Sequence, residues 1–351
     1  MARILRQDLG KAQDERGSRP AEPLLSVRDL KTYFFPDEGI VRAVDGASFE
    51  IYPGQTLGVV GESGCGKSVT ARSILNLVEQ PGRIVSGEIL LRDEYGTQNI
   101  TRLKPDGQTM RAIRGAVIAY VFQEPMSSFS PVHTIGNQII EAILLHQNVD
   151  RREARARALE VLHRVGIPLP EQRLDAYAYQ LSGGLRQRAM IAMALSCNPS
   201  LLIADEPTTA LDVTTQAQIL DLMRHLQHEY GMAIMLITHD LGVVAEMADD
   251  VVVMYLGRVV EQAPVDEIFY APKHPYTQAL LRSIPHIRSR SRERLASIAG
   301  FVPHPYNRPP GCPFHPRCAS FMPGVCDRRE PELQQIGDQH AVSCFLYQSH
   351  A

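Results

Sequence analysis

No stretch of this 351-residue chain approaches the roughly 18 consecutive apolar residues that a membrane-spanning helix needs. Charge imbalance is lacking too: 36 basic against 39 acidic residues leave a formal net charge of −3, which gives no electrostatic reason to expect nucleic acid. The opening MARILRQDLGKAQDERGSRP holds no apolar core of the kind a secretory leader carries. These absences predict a cytoplasmic protein whose business with a membrane runs through a partner. The polar residues 1–22 are expected to be a disordered tail. With 44% hydrophobic and 21% charged residues, the rest is ordinary globular material, enough for one large domain and a smaller one.

What is present begins at GESGCGKSVT, residues 61–70, directly after the apolar run Leu57-Gly58-Val59-Val60. Gly61, Gly66, Lys67 and Ser68 meet the spacing G-x-x-x-x-G-K-[ST]. Glycines let a backbone curl until successive N–H groups point inward, and a following helix adds the positive end of its dipole. The stretch therefore predicts a phosphate cradle from Gly61, Glu62, Ser63, Gly64, Cys65, Gly66, Lys67, Ser68 and Val69. Lys67 is expected to reach the β- and γ-phosphates of a nucleotide and the Ser68 hydroxyl to ligate Mg²⁺. The bland alternative is a Gly-rich turn that happens to precede Lys-Ser, and the strand-before, helix-after context argues against it.

Strand patterns appear at 24–27, 47–51 and 55–60, and the helix after the loop is expected over about 67–78, ended by Gln80-Pro81-Gly82. GAVIAYVFQEP reads as a buried strand ending at Gln123. Between about 126 and 180 the pattern is helical only, as in TIGNQIIEAILLH and RREARARALEVLHRVGI, and reads as an insertion in an α/β domain. SLLIADEP and GMAIMLITHD follow as buried strands. Apolar strands alternating with helices predict a parallel sheet covered on both faces, with chemistry at the strands' carboxyl ends.

Each strand end supplies a part that phosphoryl transfer needs. Asp205 is expected to hold Mg²⁺ and Glu206 to polarise the attacking water; a helix cap is the plainer reading of such a pair. Gln123 suits contact with Mg²⁺ and the water, and His239 suits a hydrogen bond to the γ-phosphate, though a satisfied core histidine is the commoner fate. Four such signals at four strand ends, together with LSGGLRQR at 181–188 and TALD at 209–212, resemble the nucleotide-binding subunit of an ABC transporter.

The resemblance implies an α/β fold: a P-loop NTPase core of the ABC ATPase type over 23–265, with a helical subdomain at about 126–180. It also implies a small C-terminal cysteine-containing appendage within 266–351. Two such cassettes pack head to tail, so Ser182, Gly183 and Gly184, with Gln187 and Asp212, become nucleotide ligands in trans. An aromatic upstream of the loop usually stacks on adenine; Tyr33, Phe34 and Phe35 compete, and spacing favours Phe34. FQEPMSSFSPVHTIGNQI, KHPYTQALLRSIP and PPGCPFHPRC are similar to the ATPases of oligopeptide, dipeptide and nickel importers, more to the first of their two ATPase subunits. That likeness implies ATP and Mg²⁺ as cofactors and a heterodimer with a homologous ATPase. It also implies two membrane permease subunits, an extracytoplasmic solute-binding protein, and a peripheral location on the cytoplasmic face of the inner membrane. A soluble ABC ATPase acting on nucleic acid or ribosomes is the alternative, disfavoured by a single cassette, no heptad run and no basic excess.

Four of six cysteines, Cys312, Cys318, Cys326 and Cys344, crowd a proline- and arginine-rich tail, with five, seven and seventeen residues between neighbours. Four cysteines are the usual ligand set of a [4Fe-4S] cube, and the resemblance agrees, since peptide-importer ATPases with this cysteine pattern can carry one. Zinc competes but favours paired knuckles, and four unligated thiols are the third possibility.

Overall fold

The computed structural model describes residues 22–93, 96–209, 211–283 and 298–348. The expected N-terminal tail, apart from Glu22, lies outside the described residues. The centre is an eight-stranded sheet in the order β11-β12-β10-β9-β3-β8-β7-β6. Its members are β3 (Thr56–Val60), β6 (Ile118–Val121), β7 (Leu201–Asp205), β8 (Ala233–Ile237), β9 (Asp250–Tyr255), β10 (Arg258–Pro264), β11 (Gln334–Gln335) and β12 (Ala341–Val342). Every residue of β3, β7, β8 and β9 is buried, which is why these stretches read as unbroken apolar runs.

From β9 across to β6 the pairing is parallel, as expected. The remainder departs from the expectation, because β10, β12 and β11 continue the sheet antiparallel. A second sheet, in the order β2-β1-β4-β5, is built from β1 (Leu25–Phe34), β2 (Val41–Ile51), β4 (Gly82–Asp93) and β5 (Gly96–Asn99). β1 and β2 run well beyond the short patterns seen at 24–27 and 47–51. In β1 the register slips between Val27 and Leu30, where Asp29 takes φ 45°, and this bulge breaks the alternation that marks a strand.

The helix after the phosphate loop spans Lys67–Ile74, shorter than expected. Asn76 takes φ 51° and stops it, its side-chain amide donating to the Leu103 carbonyl at 3.1 Å. Helices Pro125–Ser128, Ile135–His146, Arg151–Arg164 and Pro170–Leu174 form the all-helical stretch, with Thr134 and Asp150 capping the longer two. Their apolar faces share one core with helices Gly183–Leu195 and Val213–Tyr230 and with side chains of β7 and β8. The opposite face of the sheet packs against β1, β2 and β4. A third core joins β9 and β10 to helix Val265–Tyr270 and to Tyr276 and Phe314 of the C-terminal segment. Through β11 and β12 that segment is woven onto the sheet edge instead of standing apart. Among the described residues no helix is long and apolar enough to cross a membrane.

Candidate nucleotide site

Two glycines dictate the loop after β3. Gly61 has φ 151°, and a Cβ there would lie 2.2 Å from the Met254 carbonyl oxygen; Gly66 has φ 102°, and its Cβ would lie 2.3 Å from the Ala43 carbonyl oxygen. Lys67 is buried, its ammonium donating to the carbonyls of Gly61 at 2.8 Å and Glu62 at 3.3 Å. Cys65 is buried beside it, and burial pushes its thiol pKa up. A cavity of about 330 Å³ opens over the loop. Residues 63–69, Gln123 and Glu206 line one side; residues 41–43, Leu256, Gly257, His304, Pro305 and Arg308 line the rest.

The strand ends converge here. Asp205, at the tip of β7, accepts from the Ser68 hydroxyl at 3.0 Å and from the Tyr120 hydroxyl at 2.7 Å. Burial first, then the Asp205 charge, push the Tyr120 pKa far up, so that hydroxyl remains a donor. Glu206 follows in the left-handed region at φ 48°, a conformation that costs an ordinary residue about 1–2 kcal/mol and concentrates at functional sites. Its carboxylate accepts from Gln123 Nε2 at 3.0 Å and the Thr209 hydroxyl at 2.9 Å, and His239 Nδ1 lies 3.3 Å away. Ser68 with Asp205 forms an oxygen pair of the kind a hard cation takes, completed in such sites by waters and phosphate oxygens.

Ser182, Gly183, Gly184, Gln187 and Asp212 do not line this cavity. The Ser182 hydroxyl accepts from Leu185 N at 3.4 Å, and Asp212 accepts from Thr215 N at 3.0 Å and from the Thr215 hydroxyl at 2.6 Å, so both cap helices. The two caps adjoin, since a Cβ on Gly184 would meet Thr215 at 2.8 Å. Among the described residues a Cβ on Gly183 would meet only Leu211, at 3.9 Å. Gln187 is buried, and its amide nitrogen has no hydrogen-bond partner among the described residues.

Phe34, the ring that spacing favours for stacking on adenine, does not line this cavity. β1 pairs Phe34 with Gly82 of β4, so the ring lies over that glycine, in a separate hollow with Val69, Arg72, Val78, Glu79 and Gln80. Tyr33 is tied through its hydroxyl to Asp45 at 2.5 Å, and Phe35 sits beneath the Arg83 guanidinium at 4.4 Å. Burial works to raise the Asp45 pKa, but the Tyr33 hydroxyl and the Arg308 and Arg258 charges outweigh it and hold it below the usual range. Of the two aromatic rings stacked at 5.2 Å on the far side, His304 and Tyr306, the former lines the cavity.

In the tail, all four cysteines are free, and Cys312 N donates to the Cys326 carbonyl at 2.8 Å. Burial pushes Cys312 up to about 12 and Cys344 up to about 11, and repulsion among the four sulfurs adds to both. Among the described residues, however, no group of three or more His, Cys, Asp or Glu side chains is arranged to hold a metal ion.

The contacts of three further residues at this site carry no sequence signal, although the residues fall in GAVIAYVFQEP, KHPYTQALLRSIP and PPGCPFHPRC. Tyr120, Tyr276 and Arg317 reach it from distant parts of the chain: Tyr276 accepts from the Glu62 amide at 2.9 Å, and Arg317 forks onto the Glu62 carboxylate.

Residues 44–209 match the ABC transporter family, and residues 260–326 match the oligopeptide/dipeptide transporter C-terminal region. The oligopeptide transport ATP-binding protein of Bacillus subtilis is 51% identical over 93% of this chain and 97% of its own length. The dipeptide transport ATP-binding protein of Escherichia coli is 47% identical over 92% and 96% respectively. Among solved structures, a dimeric ATP-binding cassette in a post-hydrolysis state with ADP and Pi superposes with a TM-score of 0.61 and 27% identity, covering 69% of this chain and 98% of that one. The chain belongs to the ATP-binding subunits of ABC transporters, in the branch that carries the oligopeptide/dipeptide C-terminal region, and as such is an ATPase.

Proposed function

We propose that ATP hydrolysis in this chain drives the import of peptides or a related small solute across the cytoplasmic membrane. The observation that carries the reading is the convergence of Ser68, Asp205, Gln123, Glu206 and His239 on one cavity over the phosphate loop, in a chain whose relatives are named for oligopeptide and dipeptide transport. Lys67 and the loop amides bind the β- and γ-phosphates; Ser68 and Asp205 hold Mg²⁺, which supplies charge neutralisation at the transferred phosphoryl group. Glu206 polarises the attacking water, with Gln123, Thr209 and His239 fixing its carboxylate. Glu206→Gln keeps this geometry and loses the charge, so the assembled transporter is expected to bind ATP normally and hydrolyse it at least ~100-fold more slowly. Retention of half the wild-type rate overturns the assignment.

The same reading gives Ser182, Gly183, Gly184, Gln187 and Asp212 to the nucleotide of a second cassette. Ser182 and Gly183 are exposed, and among the described residues only Leu211, at 3.9 Å, comes near where a Gly183 Cβ would go. The partner is a homologous ATPase in a heterodimer, docked with two permeases that a solute-binding protein supplies from outside. Phe122, Met126 and Val132, exposed by 39%, 49% and 74% close to Gln123, suit the permease contact, which puts the chain on the inner face of the cell membrane.

The division into an ATPase domain at 23–265, containing the helical subdomain, and an extension at 266–351 belongs to this proposal. So does a [4Fe-4S] cluster on Cys312, Cys318, Cys326 and Cys344. That part of the reading rests on the resemblance and on four free cysteines in one proline- and arginine-rich segment, the usual ligand set of such a cube. Iron and acid-labile sulfide near four per chain after anaerobic purification uphold the cluster, and their absence removes it.

A further inference from the structure

Glu62, the second residue of the phosphate loop, is held by three different groups. Its carboxylate takes both arms of the Arg317 guanidinium, at 2.7 and 3.0 Å. Its amide donates to the Tyr276 hydroxyl at 2.9 Å, and its carbonyl accepts from Lys67 at 3.3 Å. Two of the three come from beyond residue 270. Arg317 is itself fixed: its side chain is 3% exposed, its Nε donates to the Ala299 carbonyl at 3.0 Å, and its guanidinium faces the Tyr255 and Phe314 rings at 5.8 and 6.0 Å. Those rings and Tyr276 pack on one another with centroids 4.7–5.3 Å apart. A forked, water-poor carboxylate–guanidinium contact is among the most directional links a protein makes. Farther along the cavity, the wall not made by the loop or the strand ends includes His304 and Pro305 from the same C-terminal segment.

We propose that the C-terminal segment is a built part of this chain's own nucleotide site: Arg317 fixes the phosphate loop through Glu62, and His304 walls the nucleoside end of the cavity. The proposal rests on reading 61–68 as the phosphate cradle. With triphosphate on the loop, the nucleoside has the remainder of the cavity, where His304 is the exposed ring. Arg317 is a positioning residue, since it touches the loop and not the ligand; His304 is a contact residue.

Equilibrium titration of the full-length chain with Mg·ATP and with Mg·tripolyphosphate separates the two roles. Arg317→Ala is expected to weaken both ligands about tenfold, as is Glu62→Gln, and the double variant is expected to be no weaker than either single one. His304→Ala is expected to weaken ATP several-fold and leave tripolyphosphate unchanged. Binding by Glu62→Gln within twofold of wild type, or additive losses in the double variant, overturns the Arg317 role even where Arg317→Ala unfolds the segment. Equal losses for both ligands, or none, in His304→Ala overturn the wall. Lys67→Ala stands as the control: normal binding there defeats the cradle reading itself, whatever Arg317 does.

Discussion

A methyl group added at Gly61 has nowhere to go, with a backbone oxygen at 2.2 Å and the Cys65 sulfur at 2.7 Å. Neither neighbour is the loose end of a flexible side chain, so β3 and β9 must separate or the loop must open. Gly61→Ala is expected to lower stability by about 3 kcal/mol and to abolish ATP binding, read by urea unfolding and nucleotide titration. An unchanged unfolding midpoint argues that the loop is far softer than its contacts imply. At this scale the sequence was generous where chemistry demands fixed spacing. Gly66, Lys67, Ser68, Asp205, Glu206, Gln123 and His239 were all legible, each from the motif or the strand end that carries it. The roles of Tyr120 and Arg317 were not, although both lie in stretches the sequence singles out, because their partners lie 85 and 255 positions away. Nor can spacing say that Gly82 lies opposite Phe34 and takes the ring.

Helix Pro275–Arg282 begins at His274, whose Nδ1 accepts from Tyr276 N at 3.0 Å while its own amide donates to Glu261 at 3.0 Å. Capping through Nδ1 requires the neutral ring, and burial pushes the His274 pKa down to about 3 from an ordinary 6.5. Because the folded pKa is the depressed one, the unfolded chain takes up a proton that the folded chain refuses. The contribution is complete above pH 6.5 and drains away as pH falls toward 3. Wild type is expected to lose about 2 kcal/mol more than His274→Asn between pH 8 and pH 5, seen in urea midpoints, since asparagine caps without titrating. Parallel pH profiles for the two proteins sink this account. Among elements, the buried strands β3, β6, β7 and β8 and the helical insertion were readable from the apolar pattern, while the equally buried β9 went unread. β10, β11, β12 and the full length of β1 were not readable either, because a bulge and two-residue strands leave no period to detect.

On the scale of the whole molecule, the five residues proposed to serve a second cassette, Ser182, Gly183, Gly184, Gln187 and Asp212, do not line this chain's own cavity. Gly183→Ala is expected to leave the lone chain within about 0.5 kcal/mol of wild type or slightly more stable, since alanine is the better helix residue and space is open. The same variant is expected to cut ATPase turnover of the assembled transporter at least tenfold, by crowding the γ-phosphate of the opposite cassette. The lone wild-type chain is expected to hydrolyse ATP far more slowly per site than the complex, and equal rates argue against shared sites. The sheet carries one more consequence, for synthesis. β3 lies between β8 and β9, and the bond from Thr56 to Asp249 spans 193 positions. At roughly 5–20 residues per second, a ribosome needs on the order of 10–40 s to deliver those neighbours. Throughout that interval the nascent chain displays the bare apolar stretch TLGVV, and a chain stalled near residue 230 has a helical region ready to fold but no place for a nucleotide to sit.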